Sequence, residues 1–385
     1  MTRPWAILVI LVGTTLASAQ DWNQFRGDDA KTGVSSAMIT PPFKQKWVAP
    51  IGLVNSSPSI VKGTVYVGSY DGHLYAVAAD TGKVRWKRMF GKPVYASPTV
   101  VDGRVYVCCN GEQGVREKDK QQTCRMVCLE AADGKTVWDQ PLIRADVTYD
   151  LGNWAGGWAS PAVDGRHVYV GSDDRYIYAL DRATGDVKWK YLTEGRVHAA
   201  QTLVDGVLYS GCHDGHAYAL DAASGKLKWK FKTDSLVNST VAFRDGQVYF
   251  GSYDKHVYAL KATDGELSWK TETDPGVTSH IVASPAVAED AVFIGTWPGM
   301  MYAFERKTGK VRWRTPLGGR IQASSTVANG VVFTLAHNRL VGLDVNTGKI
   351  VWEQRVGNAF ATSTPTLALG ALYVGSREGL HCFVP

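Results

Sequence analysis

The stretch Ser57-Pro58-Ser59-Ile60-Val61-Lys62-Gly63-Thr64-Val65-Tyr66-Val67-Gly68-Ser69-Tyr70-Asp71-Gly72-His73-Leu74-Tyr75-Ala76-Val77-Ala78-Ala79-Asp80-Thr81-Gly82-Lys83-Val84-Arg85-Trp86 decides the fold. It contains four short β patterns separated by turns. Ser59 to Val61 precedes a tight turn, Val65-Tyr66-Val67 precedes Asp71-Gly72, Leu74 to Val77 precedes Thr81-Gly82, and Val84 to Lys87 carries the tryptophan. The unit recurs along the chain. Glycine followed four residues later by tryptophan occurs seven times, at Gly82/Trp86, Gly134/Trp138, Gly185/Trp189, Gly225/Trp229, Gly265/Trp269, Gly309/Trp313 and Gly348/Trp352. The position of Pro58 is filled in later units by Pro98, Pro161, Gln201, Val241, Pro285, Ser325 and Pro365, which gives eight units with a basic period of 40. Four antiparallel strands per period describe a propeller blade.

The chain ends argue for a closed ring rather than a solenoid. The eighth unit stops at Pro385 after three strands, whereas Phe43 to Val48 holds the unassigned Trp47. Trp47 lies 11 residues before Pro58, close to the 12 between Trp86 and Pro98, so the N-terminal strand is expected to complete the last blade and remove a free edge. The expected fold is all-β: an eight-bladed β-propeller over 43–385, preceded by a lead-in over 20–42 and a signal peptide over 1–19.

At these residues the chain resembles the pyrroloquinoline quinone (PQQ) type of propeller repeat, the family of the quinoprotein alcohol dehydrogenases and of BamB, the scaffold lipoprotein of outer-membrane β-barrel assembly. The resemblance covers Phe43 to Pro385. It implies that the motif tryptophan docks between blades. The segment Trp22-Asn23-Gln24-Phe25-Arg26-Gly27 also looks like the W-x-Q-F-R-G lead-in of many exported bacterial proteins of this kind.

Arg3, the apolar run Ala6 to Val12 and Ala17-Ser18-Ala19 form a secretion signal with cleavage after Ala19, so a periplasmic or secreted protein is expected. No Cys follows the signal, so no lipid anchor is expected. No run of about 18 apolar residues calls for a transmembrane segment. The chain carries 42 Lys+Arg against 36 Asp+Glu, and loss of Arg3 leaves a mature charge of +5. No basic block of five or more residues marks a nucleic-acid or polybasic membrane footprint. The 13 Trp, 17 Tyr and 11 Phe exclude a disordered chain, and a monomer is expected.

Departures from the period point to function. Pro98 to Trp138 spans 40 residues instead of 28, an insertion of 12 between the second and third strands of blade two. Trp138 to Pro161 spans 23 and Trp269 to Pro285 spans 16, against 11 to 13 in most other places. All three insertions fall on one rim, and the two larger ones are neighbours. Four residues before each Pro slot stand Val54, Val94, Gly157, Val197, Val237, Ile281, Ile321 and Ala361, an apolar position expected to pack inward. The next position, Asn55, Tyr95, Trp158, His198, Asn238, Val282, Gln322 and Thr362, is expected to ring the channel mouth. Tyr95, Trp158 and His198 make an aromatic sector there, and Arg196, His280 and Arg320 add positive character one step further out. Neither ring of positions contains Asp or Glu.

Cys108, Cys109, Cys124 and Cys128 bracket the blade-two insertion and are disulfide candidates in an exported protein. A hairpin would set Cys109 opposite Cys124 and Cys108 near Cys128; adjacent pairing of Cys108 with Cys109 stays open. Quinoprotein alcohol dehydrogenases carry such a vicinal pair against PQQ, but before a blade, whereas this pair ends a second strand. A zinc site is disfavoured by the missing C-x2-4-C spacing, and no metal site is expected. Cys212 and Cys382 should be buried thiols. His213-Asp214-Gly215-His216 has metal-like spacing, yet it occupies the same turn as Tyr70-Asp71-Gly72-His73 and reads as turn chemistry.

The resulting reading is an exported, non-catalytic scaffold that binds a protein or envelope-polymer partner on its loop-decorated face, with no cofactor and no nucleic acid. The alternative implied by the resemblance is a PQQ/Ca-dependent quinoprotein dehydrogenase, which requires carboxylate ligands and an Asp base. Only the long loops offer acids for that, at Asp146, Asp150 and Asp274.

Overall fold

A computed structural model describes residues 21–110, 124–142, 157–277, 279–357 and 362–385. Eight sheets follow one another along the chain, antiparallel except where Val34–Ser35 of the lead-in pairs parallel with Thr326–Ala328 of blade seven, and the innermost strands of successive blades meet around a central channel. Blade one comprises Ser59–Val61, Thr64–Gly68, His73–Ala78 and Val84–Met89, and blades two to seven repeat that order. Among the described residues no helix is long and apolar enough to cross a membrane.

The ring closes as expected. Lys44–Ala49 pairs with Leu380–Val384 as the outer strand of blade eight, with Trp47 opposite Cys382. The Gly/Trp spacing also has a physical cause. The Trp86 indole donates to the Ala131 carbonyl of the next blade (3.0 Å), and Trp189, Trp229 and Trp269 do the same to Ala222, Ala262 and Arg306 (2.9 Å each). The ring lies under the glycine of the next T-G turn. At Gly225 (φ 71°) a Cβ would stand 2.6 Å from the Trp189 ring, so glycine is required both by conformation and by contact.

The Ser-Pro pair of the repeat builds two hydrogen-bonded rings around the channel. In the first, the amide before the Pro slot donates to the hydroxyl at the same position of the next blade, as in Ser57 to Ser97 (2.8 Å), Ser97 to Ser160 (3.0 Å), Thr240 to Ser284 (3.0 Å) and Thr364 to Ser57 (2.9 Å). In the second, the hydroxyl after the slot donates to the next blade's slot carbonyl. Ser59 reaches Pro98, Thr99 reaches Pro161, Thr202 reaches Val241, Thr326 reaches Pro365 and Thr366 reaches Pro58. Blades three, five and six carry Ala162, Ala242 and Ala286 at this position and have no hydroxyl to give.

The lead-in supplies what two of those blades lack. The fully buried Arg26 guanidinium donates to the Pro285 and Ser325 carbonyls, which Ala242 and Ala286 leave without a hydroxyl partner. Gly33 leaves room for it, since a Cβ there would fall 2.1 Å from Arg26 Nη2. The Trp22 amide and carbonyl bond Ile60 of blade one. The carbonyls of Asn23, Asp29, Ala30, Thr32 and Gly33 accept from Val100, Leu203, Phe243, Val287 and Val327. The segment thus crosses the channel at the end bearing the first-to-second strand turns, covering inner-strand N–H groups that would otherwise face an open bore. Burial pushes Arg26 down to about 9, with Asp28 opposing, and Lys31 down to about 8, with Asp29 and Asp28 opposing. Lys31 Nζ is held by the Gln24 side-chain oxygen.

Candidate functional site

The mouth lies at the opposite end, where inter-blade connections meet the turns between second and third strands. Six of the connections are anchored by a knob in a hole. Val94, Val197, Val237, Ile281, Ile321 and Val54 are buried, and each presses on a strand-ending glycine: Gly68, Gly171, Gly211, Gly251, Gly295 and Gly375 in the same order. Blade two inverts the pair. Cys108 occupies the glycine position, and Gly157 replaces the knob, with a Cβ on Gly157 falling 2.7 Å from Cys108 Sγ. The chain leading into Trp158 thus lies against the sulfur.

The expected ring residues do come together in their aromatic sector. Tyr95 stacks on Trp158 (centroids 4.0 Å, 11°), and Trp158 stacks on His198 (5.8 Å, 22°). The arc extends further than the inter-blade residues alone. Tyr70 meets Tyr95 edge-on (5.9 Å), His198 meets His213 (4.3 Å), and His213 Nε2 bonds the Asn238 side-chain oxygen (2.9 Å). A second cluster runs Tyr253, His280, Trp297 and Arg320, with centroid separations of 4.7 and 5.0 Å and the guanidinium 4.0 Å over the indole. Asn55 lies beside blade eight, its carbonyl accepting from the Thr362 hydroxyl (3.0 Å), while its buried Oδ1 has no partner among the described residues. Among the described residues no ring contact or hydrogen bond of this arc reaches Gln322, and Arg196 joins it through its carbonyl, which accepts the His213 amide (2.9 Å).

Tyr70, Asp173, His213, Tyr253 and Trp297 are additions that the inter-blade pattern misses. They share one signal, the position just after the Ser, Cys or Thr that follows the strand-ending glycine. The His213-Asp214-Gly215-His216 motif accordingly divides. Asp214 is turn chemistry, accepting from the His216 amide (2.9 Å) and the Tyr218 hydroxyl (2.7 Å), as Asp71 and Asp254 do for Tyr75 and Tyr258. His213 belongs to the mouth.

An acid does reach the mouth, contrary to the sequence expectation. Asp173, 5% exposed, bonds His198 Nε2 from the turn of blade three. Asp274, one of the three loop acids, is held by the Tyr302 hydroxyl and Ser279 Oγ (2.9 Å each). Asp146, Asp150 and the two larger insertions, 111–123 and 143–156, lie outside the described residues. The cysteine register is also shifted from the expected one: Asn110, not Cys109, faces Cys124, and Tyr106, not Cys108, faces Cys128.

PQQ with Ca²⁺ does not fit these residues. Trp158 is flanked by Tyr95 on one side and His198 on the other, so the Trp158 ring itself is not open to a planar quinone. Asp173 is committed to His198, and among the described residues no three of His, Cys, Asp or Glu converge as metal ligands. Cys108 and Cys109 project to opposite faces of their strand, into different cores, unlike a vicinal pair. A cleft of about 600 Å³ between blades two and three, at the far face, carries Arg182 on Asp102 and Tyr106. Arg306 repeats this on Asp245 and Tyr249, so that cleft is architecture.

Burial, reinforced by His198, lowers the His213 pKa; burial, reinforced by Arg320, lowers that of His280. The folded state therefore binds these protons less readily than the unfolded chain. Their effect on stability is absent well above the unfolded value of about 6.5, and stability falls as pH drops through that value until the folded pKa is passed. Thermal unfolding between pH 7.5 and 5 should show this decline, with a shallower slope in His213→Gln/His280→Gln. Equal slopes would refute it.

Comparison with known proteins agrees with the fold. The family profile described as outer membrane protein assembly factor BamB matches residues 22–123, 120–203, 192–324 and 273–382, a span that includes the lead-in. The chain is similar to the quinohemoprotein alcohol dehydrogenase of Comamonas testosteroni, 28% identical over 48% of this chain and 32% of that protein. It is similar to the outer membrane protein assembly factor BamB of Salmonella typhimurium, 26% identical over 40% of this chain and 36% of that one. It thus spans about a third of the length of these relatives. The crystal structure of BamB from Moraxella catarrhalis superposes with a TM-score of 0.71 at 17% identity, covering 89% of this chain and 99% of that one, which shows the shared fold. By the match along nearly its whole length, the chain belongs to the family of PQQ-type propellers described as outer membrane protein assembly factor BamB.

Proposed function

We propose that this chain is an exported, non-catalytic propeller that binds a protein or envelope-polymer partner across its mouth. The observation that carries this reading is the aromatic and polar arc from Tyr70 through Tyr95, Trp158, His198 and His213 to Asn238, opposite a channel end that the lead-in closes. With the lead-in bonded to the inner strands at the other end, the mouth is the end left to a partner among the described residues, and large aromatics with polar edges are what recognition surfaces use. The family's name for an assembly factor favours a protein partner, and the secretion-like residues 1–19 support an envelope location.

A photo-crosslinking residue placed at Gln322 tests this against one at Lys226 on the opposite face. The mouth position should give a discrete adduct in cell envelopes, reduced at least tenfold by Trp158→Ala or His198→Ala. Adducts only from Lys226, or mouth adducts indifferent to both substitutions, would overturn it.

A further inference from the structure

Cys108 and Cys124 stand at the two roots of the blade-two insertion. Asn110 faces Cys124 and Cys108 faces Met126, so the cysteines are diagonal neighbours on one face of the hairpin. Both are buried in the core between blades two and three, and their Sγ atoms lie 3.0 Å apart. The other candidates stand apart from this contact. Cys109 enters the core shared with blade one, and Cys128, although in the same core as the pair, sits further along the strand opposite Tyr106. Cys212 and Cys382 belong to blades four and eight.

We propose that Cys108 and Cys124 form a disulfide, the single one of this protein, stapling the base of the insertion, and that Cys109, Cys128, Cys212 and Cys382 remain thiols. The oxidant is the disulfide of a thiol–disulfide carrier, as an exported location supplies. One cysteine thiolate attacks that disulfide to form a mixed disulfide; the second thiolate then displaces the carrier sulfur. Two protons leave the cysteines, and two electrons reduce the carrier to its dithiol. Since both sulfurs are buried in the finished blade, the exchange precedes closure of the core. The product fixes Cys108 against Gly157, and with it the chain that leads into Trp158.

The inference rests on export only for its oxidant, so the test replaces the compartment with a glutathione redox buffer. The reduced, unfolded chain of residues 20–385 is refolded there, denatured without reductant and alkylated with iodoacetamide. Four alkylated cysteines are expected, rising to six after reduction, with peptides joined through Cys108 and Cys124. Cys109→Ser and Cys128→Ser should keep that link, and Cys108→Ser should lose it without substitution by another. Six alkylated cysteines before reduction, or a link through Cys109 or Cys128, would overturn the proposal whatever the mouth binds.

Discussion

Replacing Trp229 with alanine is expected to destabilise the propeller by about 4 kcal/mol. The side chain is 7% exposed, its indole N–H donates to the Ala262 carbonyl across the blade boundary (2.9 Å), and its ring lies under Gly265, where a Cβ would stand 2.8 Å away. Truncation therefore opens a cavity and orphans a carbonyl in one step. Trp229→Phe keeps most of the ring and loses the donor, so it should cost less, about 1 to 2 kcal/mol. Urea unfolding followed by circular dichroism reads both values. Equal midpoints for wild type and Trp229→Ala would mean that neighbouring blades are not joined through this docking.

The second large effect is expected at Arg26. Arg26→Leu removes the donors of the Pro285 and Ser325 carbonyls and leaves two buried acceptors unpaired. Each costs about 1 to 3 kcal/mol. Relief of burying a guanidinium opposes this, since burial already lowers its pKa to about 9. Two orphaned carbonyls outweigh the relief by about 2 kcal/mol. The amides of Leu203, Phe243, Val287 and Val327, which donate to the lead-in, should also exchange with solvent faster. The decisive control restores the missing hydroxyls. Ala242→Thr with Ala286→Thr, added to Arg26→Leu, should recover part of the lost stability, because five other blades make this bond from Ser or Thr. No loss in Arg26→Leu, or no recovery in the triple variant, would contradict the role assigned to the lead-in.

What the sequence discloses here follows from periodicity. Eight blades, the closing strand at Trp47 and the inward Val/Ile knobs are legible because each is repeated, and a repeated contact needs the same residue type each time. The lead-in is traversed once, so no period announces it. Its traces are the Trp22-Asn23-Gln24-Phe25-Arg26-Gly27 segment, seen through the family resemblance, and the alanines at 242 and 286 where Ser or Thr stands in five other blades. The aromatic sector Tyr95, Trp158 and His198 was legible from strand alternation. His213 and Asp173 were not, because the D-G turn beside them obeys strong local rules and absorbs the whole motif. The cysteine register differs by one residue from the hairpin estimate, since an insertion frees the third strand from the spacing that fixes it elsewhere.

The central claim is that the mouth's rings already stack on one another and serve a partner rather than a quinone. It is tested most directly by titrating the purified chain of residues 20–385 with PQQ and Ca²⁺ while following tryptophan fluorescence and dye-linked alcohol oxidation. No saturable quenching in the micromolar range and no turnover are predicted. Saturable quenching that disappears in Trp158→Ala, accompanied by turnover, would contradict the claim and identify the mouth as a cofactor site.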